Sequence, residues 1–576
     1  MDTRESICLF CPLGCDIAFR VRGDEVIGPE FCGPAETHAG RVCGRGLYGT
    51  ELLNHPQRIA TPLVRKDGRL HETSWDTALE AAAAGLRKVL ETSGPDAIAV
   101  VTEPNRSLAD LGAASRLAQA VGTGEIFCAF EPQDWPMLSD EADAGVSAIE
   151  EASCVLVIGD LFASHPVLAK EVIEAKYTAR GNSLFVIDPR RSNTAWYASS
   201  HVQNRAGTEA LVLALILKAV VESGKGGSAP AWLNEFDADA FAGTCGVSRS
   251  DIARIARSFV DAEKAAVVFA PPARGVSDVG LVASLVRLLA GVAGQGKECV
   301  CLAAGGNSRG ATAMARSEGW KPVSELVEGL CSGKYRALVS LGADLYESYP
   351  TEALRGALSS LDYSVSFSMF HGLLEQSASV VLGESSWLES DGAAELYAGR
   401  VADWKTVGRP SWATRPVAVG VDALMSALGV AGQSGGKRVS AAAAVEMQWS
   451  ARLEAVRQAA ASVPADGMSL VALPAAGHSG SGSVTGHINW ASQMFPTGFA
   501  EMSAEAAAAV GARDGDTLVV HSGNADVELT LKVTDRLAQD TVAVPAYDTK
   551  ARQLFDWAHK DGWFGTGPAV VRVSRK

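Results

Sequence analysis

The chain has 576 residues, a formal net charge of −15 and 47 % apolar residues, enough for three or four domains with sizeable cores. The acidic balance excludes a nucleic-acid surface, which needs clustered positive charge. The longest apolar run, residues 210–217, stops at Lys218, far short of the ~20 residues a membrane span requires.

Cys8, Cys11 and Cys15 fall within eight residues and Cys43 follows after a loop. Three thiolates on tight turns plus a distant fourth is the arrangement a [4Fe–4S] cubane needs. A zinc site would show two CxxC pairs, and the second pair is missing. A disulfide framework belongs to short secreted chains, whereas eleven cysteines are spread here over the whole length. Cys32 is a spare that could pair with Cys43 as an alternative ligand, with Cys43 preferred as the fourth. A first ligand at residue 8 leaves no room for a signal peptide, and no twin-arginine signal is present. The expectation is a cytoplasmic protein, where free thiols and an oxygen-sensitive cluster survive.

Residues 17–27 alternate polar and apolar around Gly23-Asp24, which predicts a hairpin in a small β lobe. From about residue 75, short apolar runs at 97–101, 154–158, 184–187, 265–269 and 337–341 alternate with alanine-rich helical stretches. Strands separated by helices predict a parallel α/β sheet, and continuous apolar runs predict strands covered on both faces. Residues 430–437 read as a linker and 441–461 as a helix. Strands at 518–521, 527–533 and 541–544, punctuated by Gly-Asp and Asp-Arg turns, predict a separate barrel-like β domain.

Ligands of parallel sheets bind outside the carboxyl ends of strands. Gly159 and Asp160, followed by His165-Pro166, end one predicted strand. Asp188-Pro189-Arg190-Arg191 ends the next, where Asp188 could accept from a ribose or a guanine edge and Arg190 or Arg191 could hold phosphate; a helix cap followed by a proline turn is the plain alternative for Asp188. Gly207, Thr208 and Glu209 open an apolar helix whose N-terminal amides could hold an anion. Gly342 and Asp344 end another strand. No P-loop is present and no GxGxxG follows a strand, so simple ATP or NAD sites are unsupported.

Together these motifs resemble the molybdopterin oxidoreductases that bind bis-guanylyl-pterin molybdenum or tungsten, a family including formate and formylmethanofuran dehydrogenases and the large iron–sulfur subunit of complex I. The resemblance runs from the cysteines with Arg45-Gly46 through His165-Pro166, Asp188-Pro189-Arg190, Gly207-Thr208-Glu209, Gly306-Asn307, Leu341-Gly342, Asp391-Gly392 and Gly399-Arg400 to Ala512–Asp516. It implies a cluster lobe over 1–60, two interleaved dinucleotide-type α/β domains over 61–435, a helical connection over 436–465 and a barrel over 466–576. It also implies that Arg45 relays electrons between cluster and pterin; a surface salt bridge is the plain alternative.

The family's metal ligand and following histidine fall, by register, on Gln133 and Asp134. Neither reproduces the formate-oxidising pair, and Cys128 lies about five residues early, as a shifted ligand or a buried structural thiol. The polar run expected before Arg400 reads Ala393-Ala394-Glu395-Leu396-Tyr397-Ala398-Gly399. After Val544-Pro545 the usual histidine and asparagine are replaced by Ala546-Tyr547-Asp548. The loop ending Gln133-Asp134-Trp135 is similar to that of the complex I subunit, which carries no metal cofactor. The expectation is therefore an iron–sulfur electron-transfer subunit with a degenerate molybdopterin site. It would depend on other iron–sulfur or flavin subunits in a hetero-oligomer, because a ferredoxin-like N-terminal domain is missing. The alternatives are an active Mo or W formate or formylmethanofuran dehydrogenase, and a non-redox hydratase or transhydroxylase that would use Asp134 as an acid.

Overall fold

The computed structural model describes residues 2–30, 41–139, 143–228, 230–409, 412–430, 448–463, 467–560 and 563–576. An antiparallel lobe comes first: β1 (Asp2–Ile7), β2 (Asp16–Arg22) and β3 (Glu25–Glu30). The β2–β3 turn places Gly23 at φ +61°, a left-handed conformation that glycine adopts without penalty.

Two sheets follow. The larger contains β4 (Leu63–Lys66), β5 (Arg69–Glu72), β6 (Ile98–Thr102) and β7 (Ile126–Cys128). The chain then builds the whole of a smaller sheet: β8 (Cys154–Ile158), β9 (Ser183–Ile187), β10 (Ser200–Val202), β11 (Ala265–Phe269) and β12 (Lys297–Cys301). It returns to the larger sheet with β13 (Lys321–Pro322), β14 (Ala337–Leu341), β15 (Tyr363–Ser368) and β16 (Val380–Gly383). The smaller sheet has order β10-β9-β8-β11-β12 and the larger β13-β7-β6-β14-β15-β16-β4-β5. All pairs are parallel except β16–β4 and β4–β5. Among the parallel strands each order reverses direction once, between β8 and β11 and between β6 and β14. A strand-order reversal splays the following loops apart and opens a crevice.

The continuous apolar runs are explained by burial on both faces. Along β8, Leu156 and Ile158 pack with the helices Glu209–Glu222 and Val279–Ala293. Val155 and Val157 face a cluster that contains the helix Pro166–Thr178 and the N-terminal cysteines. The larger sheet lies between the helices Trp75–Ser93, Leu108–Val121 and Val417–Leu428 on one face and, on the other, the helices Val323–Cys331 and Glu352–Ser359, which share a cluster with the barrel.

A small hairpin, β17 (Gly392–Glu395) and β18 (Val401–Trp404), packs on the lobe. The expected helix over 441–461 appears in its described part as Trp449–Ala461; residues 431–447, including the expected linker, lie outside the described residues. The C-terminal strands β19 (Met468–Leu473), β20 (Phe499–Met502), β21 (Thr517–His521), β22 (Asp526–Val533) and β23 (Thr541–Pro545) close into a six-stranded barrel. A short pair, β24 (His559–Lys560) and β25 (Trp563–Phe564), precedes the last barrel strand, β26 (Ala569–Arg575). Alternate residues of β22 are buried, as period-2 patterning around a closed sheet requires.

Candidate functional site

Cys8, Cys11 and Cys15 sit on the loop between β1 and β2. The Cys8 N–H bonded to the Cys15 carbonyl (2.9 Å) and the Gly14 N–H bonded to that of Cys11 (3.3 Å) draw it tight. Cys43 is the N-cap of the helix Gly44–Tyr48, which returns so closely that a Cβ on Gly46 would lie 3.2 Å from Cys8 Sγ. All four thiols lie in or against one apolar cluster. Burial pushes the Cys8, Cys11 and Cys15 thiols up. Burial acts on Cys43 too, but the adjoining Arg45 guanidinium outweighs it and holds that thiol below its usual value. Arg45 is itself buried and donates to the carbonyls of Ser164 (2.8 Å) and His478 (3.1 Å), joining lobe, central sheet and barrel. Among the described residues, no three His, Cys, Asp or Glu side chains converge tightly enough for a single ion, as zinc with its ~2.3 Å Zn–S bonds would need. Three buried thiols and the half-buried Cys43, beside one cation, fit a larger, four-iron group. Cys32 lies outside the described residues.

Beyond Arg45 two cavities meet. One, of about 520 Å³, is lined by Arg45, Gln133, His165, His478 and Tyr547. The other, of about 890 Å³, is lined by Phe10, Glu103, Arg106, Glu384 and Trp387. They share Glu131, Ala304, Ser479 and Gly480. Three buried polar atoms of the smaller cavity's lining have no partner: Arg45 Nε, Gln133 Oε1 and His165 Nδ1. The other ring nitrogen of His165 bonds the Ala303 carbonyl at 3.0 Å, and burial lowers its pKa to about 3, so the ring is neutral.

Of the three candidates for the reaction centre, Gln133 lines the smaller of these two cavities and Cys128 and Asp134 line neither. Asp134 is fully buried and accepts from the Ala304 (2.7 Å) and Gly305 (3.1 Å) amides and from Ser308 Oγ (2.6 Å). Its carboxylate therefore pins the 304–308 loop, and burial raises its pKa to about 6. Cys128 ends β7 inside the core between the larger sheet and its helices, and burial pushes its thiol well up.

At the β8–β11 reversal a crevice of about 550 Å³ is lined by Gly159, Asp160, Asp188, Arg190, Glu209 and, from the barrel, Val471. Gly159 has φ +97°, and a Cβ there would strike the Ala270 carbonyl at 2.3 Å, so the two splayed loops touch only because no side chain intervenes. Asp188 Oδ1 accepts the Arg190 amide at 2.8 Å. Burial, reinforced by Asp160, raises the Asp188 pKa to about 8, and burial raises that of Glu209 to about 7. Glu209 Oε2 has no partner. These acceptors suit the N–H edge of guanine, so the residues fit the base of a guanine dinucleotide. Arg190 is instead paired with Glu501 of the barrel (2.8 and 3.1 Å). Asp160 caps the helix Leu161–Ser164. Thr208 Oγ1 donates to the Arg205 carbonyl, and a Cβ on Gly207 would meet Ser277 and Pro568, so the start of the Glu209–Glu222 helix is packed under the chain's own C-terminal segment.

At the β6–β14 reversal the loops are filled. Gly342 has φ +85°, and a Cβ there would lie 1.4 Å from an Arg106 guanidinium nitrogen. Asp344 caps the helix Leu345–Ser348 by accepting the Glu347 amide at 3.0 Å.

Glu131, Arg552, His478 and Arg106 belong to none of the sequence motifs, and Tyr547 stands out in sequence only as a departure from one. Glu131 and Arg552 pair at 3.3 Å although 421 residues apart, and no local pattern announces such a contact. Tyr547 stacks on His478 with ring centroids 4.1 Å apart. A signal did exist there: the Ser-Gly-Ser-Gly-Ser run at 479–483 follows a strand, as backbone-exposing ligand loops do.

Comparison with known proteins finds family matches in three segments of the chain. Residues 1–55 match the molybdopterin oxidoreductase Fe4S4 domain, 58–418 molybdopterin oxidoreductase, and 469–560 the molydopterin dinucleotide binding domain. The NADPH-Fe(3+) oxidoreductase subunit alpha of Geobacter sulfurreducens is 26 % identical over 95 % of this chain and 72 % of its own. Formate dehydrogenase H of Escherichia coli is 25 % identical over 67 % of this chain and 63 % of its own. The solved acetylene hydratase from Pelobacter acetylenicus superposes with a TM-score of 0.77, covering 100 % of both chains at 15 % identity, a likeness of fold.

Proposed function

The chain belongs to the molybdopterin oxidoreductase family, and from that premise we propose that it is the iron–sulfur subunit of a multi-subunit oxidoreductase, moving electrons through a [4Fe–4S] cluster beside an altered pterin site. The observation that carries the reading is the neutral Gln133 amide at the ligand position, with Asp134 committed to backbone amides and Cys128 inside the core. Cys8, Cys11, Cys15 and Cys43 would hold the cluster, which when bound supplies one-electron transfer. Arg45 places a fixed positive charge between those thiols and the cavity, stabilising negative charge on either side. Asp188 and Glu209 would orient a guanine base in the smaller sheet's crevice. Neutral His165 keeps a free acceptor beside Arg45 without adding a second positive charge.

A relative named as a subunit alpha supports a hetero-oligomer, with separate iron–sulfur or flavin subunits as electron partners. Among the described residues no helix is long and apolar enough to cross a membrane. The free buried thiols support residence in the reducing cytoplasm. Anaerobic purification with metal analysis tests the reading: about four irons per chain without stoichiometric molybdenum or tungsten is expected, and one molybdenum or tungsten per chain overturns it. One observation favours an active Mo or W dehydrogenase instead: the Glu131 carboxylate lines both cavities. In that case Glu131→Gln would lower Mo or W content, whereas on the first reading it leaves iron unchanged and no such metal to lose.

A further inference from the structure

We propose that the chain has room for one guanine dinucleotide, at the smaller sheet, and that the equivalent crevice of the larger sheet is closed by its own side chains. A dinucleotide needs close backbone approach at a glycine where two strand-end loops splay apart. At the larger sheet's reversal that glycine is Gly342, and Arg106 lies on it, 1.4 Å from where a Cβ would be. The guanidinium is held by two carboxylates, Glu103 directly after β6 and Glu384 directly after β16, each at 2.8 Å. All three are largely buried, with side-chain exposures of 9 %, 18 % and 3 %.

The next glycine along is covered as well. Gly372 follows β15, and a Cβ there would come 2.3 Å from Asp344 Oδ2 and 3.0 Å from Glu375 Oε2. Glu375 is fixed by Ser366 Oγ (2.6 Å) and the Gly372 amide (2.8 Å). The floor of the crevice is thus four carboxylates, Glu103, Asp344, Glu375 and Glu384, with Arg106 bonded to two of them. Arg106 is committed to carboxylates on two separate loops, and moving it off Gly342 would break both ion pairs inside the core. The large cavity reaches Glu103, Arg106 and Glu384, but neither Gly342 nor Asp344 is part of its lining. At the smaller sheet the atom over Gly159 is the Ala270 backbone carbonyl rather than a charged side chain, and Gly159, Asp188 and an unpartnered Glu209 oxygen line the crevice. The expectation that Gly342 and Asp344 contact a dinucleotide gives way to their roles as a seat for Arg106 and a helix cap.

The inference deepens the proposed function and rests on its assignment of guanine to the Asp188 crevice, but not on which metal is present. The test is the guanosine monophosphate released by acid from protein purified anaerobically with its cluster, counted per chain alongside iron. One per chain is expected in the wild type. Asp188→Ala, or the milder Glu209→Gln if that variant folds poorly, is expected to lose it with iron unchanged, and Asp344→Asn to keep it. Two per chain, or a loss in Asp344→Asn, overturns the closed crevice; none in the wild type overturns the open one. Molybdenum and tungsten analysis of the same sample decides the altered reaction centre separately.

Discussion

Replacing Arg45 by Met removes a positive charge from beside the cysteine cradle while keeping most of the side-chain volume. Arg45 is hydrogen-bonded to Cys43 and acts electrostatically on Cys11 and Cys8 as well. Taking the added electron to lie ~6 Å from the guanidinium, with an effective dielectric of ~20, Coulomb attraction is about 3 kcal/mol. For a one-electron couple that is a potential more negative by about 120 mV in Arg45→Met. Water entering the vacated space would screen part of it, so a fall of ~50–120 mV is expected. Arg45→Lys keeps the charge but cannot span both carbonyl partners, Ser164 and His478; its potential should lie near the wild type, with faster cluster loss in air. An EPR-monitored redox titration of the reduced cluster measures this directly. A Met variant with four irons and a potential within ~20 mV of the wild type would refute the view that this cation sets the cluster's electrostatics.

Cys128→Ala should leave iron content unchanged and cost about 1–2 kcal/mol of stability as a small core cavity, whereas Cys43→Ser should lose iron; an iron assay on both separates core thiol from ligand. Asp134→Ala strands two loop amides at about 1–3 kcal/mol each, read as a lower melting temperature. Because the folded-state pKa of Asp134 is raised from 3.8 to about 6, its protonated form favours folding. That contribution is complete below pH 3.8 and is lost as pH rises through 6. Asp134→Asn should therefore flatten the decline of melting temperature between pH 4 and 7, and an unchanged slope would remove the group from the account. Arg190→Ala leaves Glu501 without its partner at the interface between barrel and smaller sheet, where both side chains are 14 % exposed. The barrel should then be released sooner by limited proteolysis.

Patterns that repeat along the chain were legible, and contacts that close across it were not. β8, β11 and β14 occupy the runs of apolar residues read from sequence, because a strand covered on both faces has nowhere to place a polar side chain. Asp188 was read as a possible base acceptor or a proline-turn cap, and the structure shows it taking the turn amide while lining a crevice. Arg190, one of two adjacent arginines that could hold phosphate on sequence grounds, is paired with Glu501, 311 residues on. Asp134 falls by register on the family's following-histidine position, and in sequence alone an acid role for it stays open. Its three donors come from residues 304–308, a loop that reaches it only after the entire smaller sheet has been inserted between β7 and β13. That insertion also separates Arg106 from Gly342 and Glu384. The two strand-end crevices, nearly alike in their glycine and acidic motifs, differ in what distant side chains do over the glycine. On the inference of one dinucleotide per chain, its capacity is set by the Glu103–Arg106–Glu384 ion pairs, which no motif encodes, and counting nucleotides per chain tests that directly.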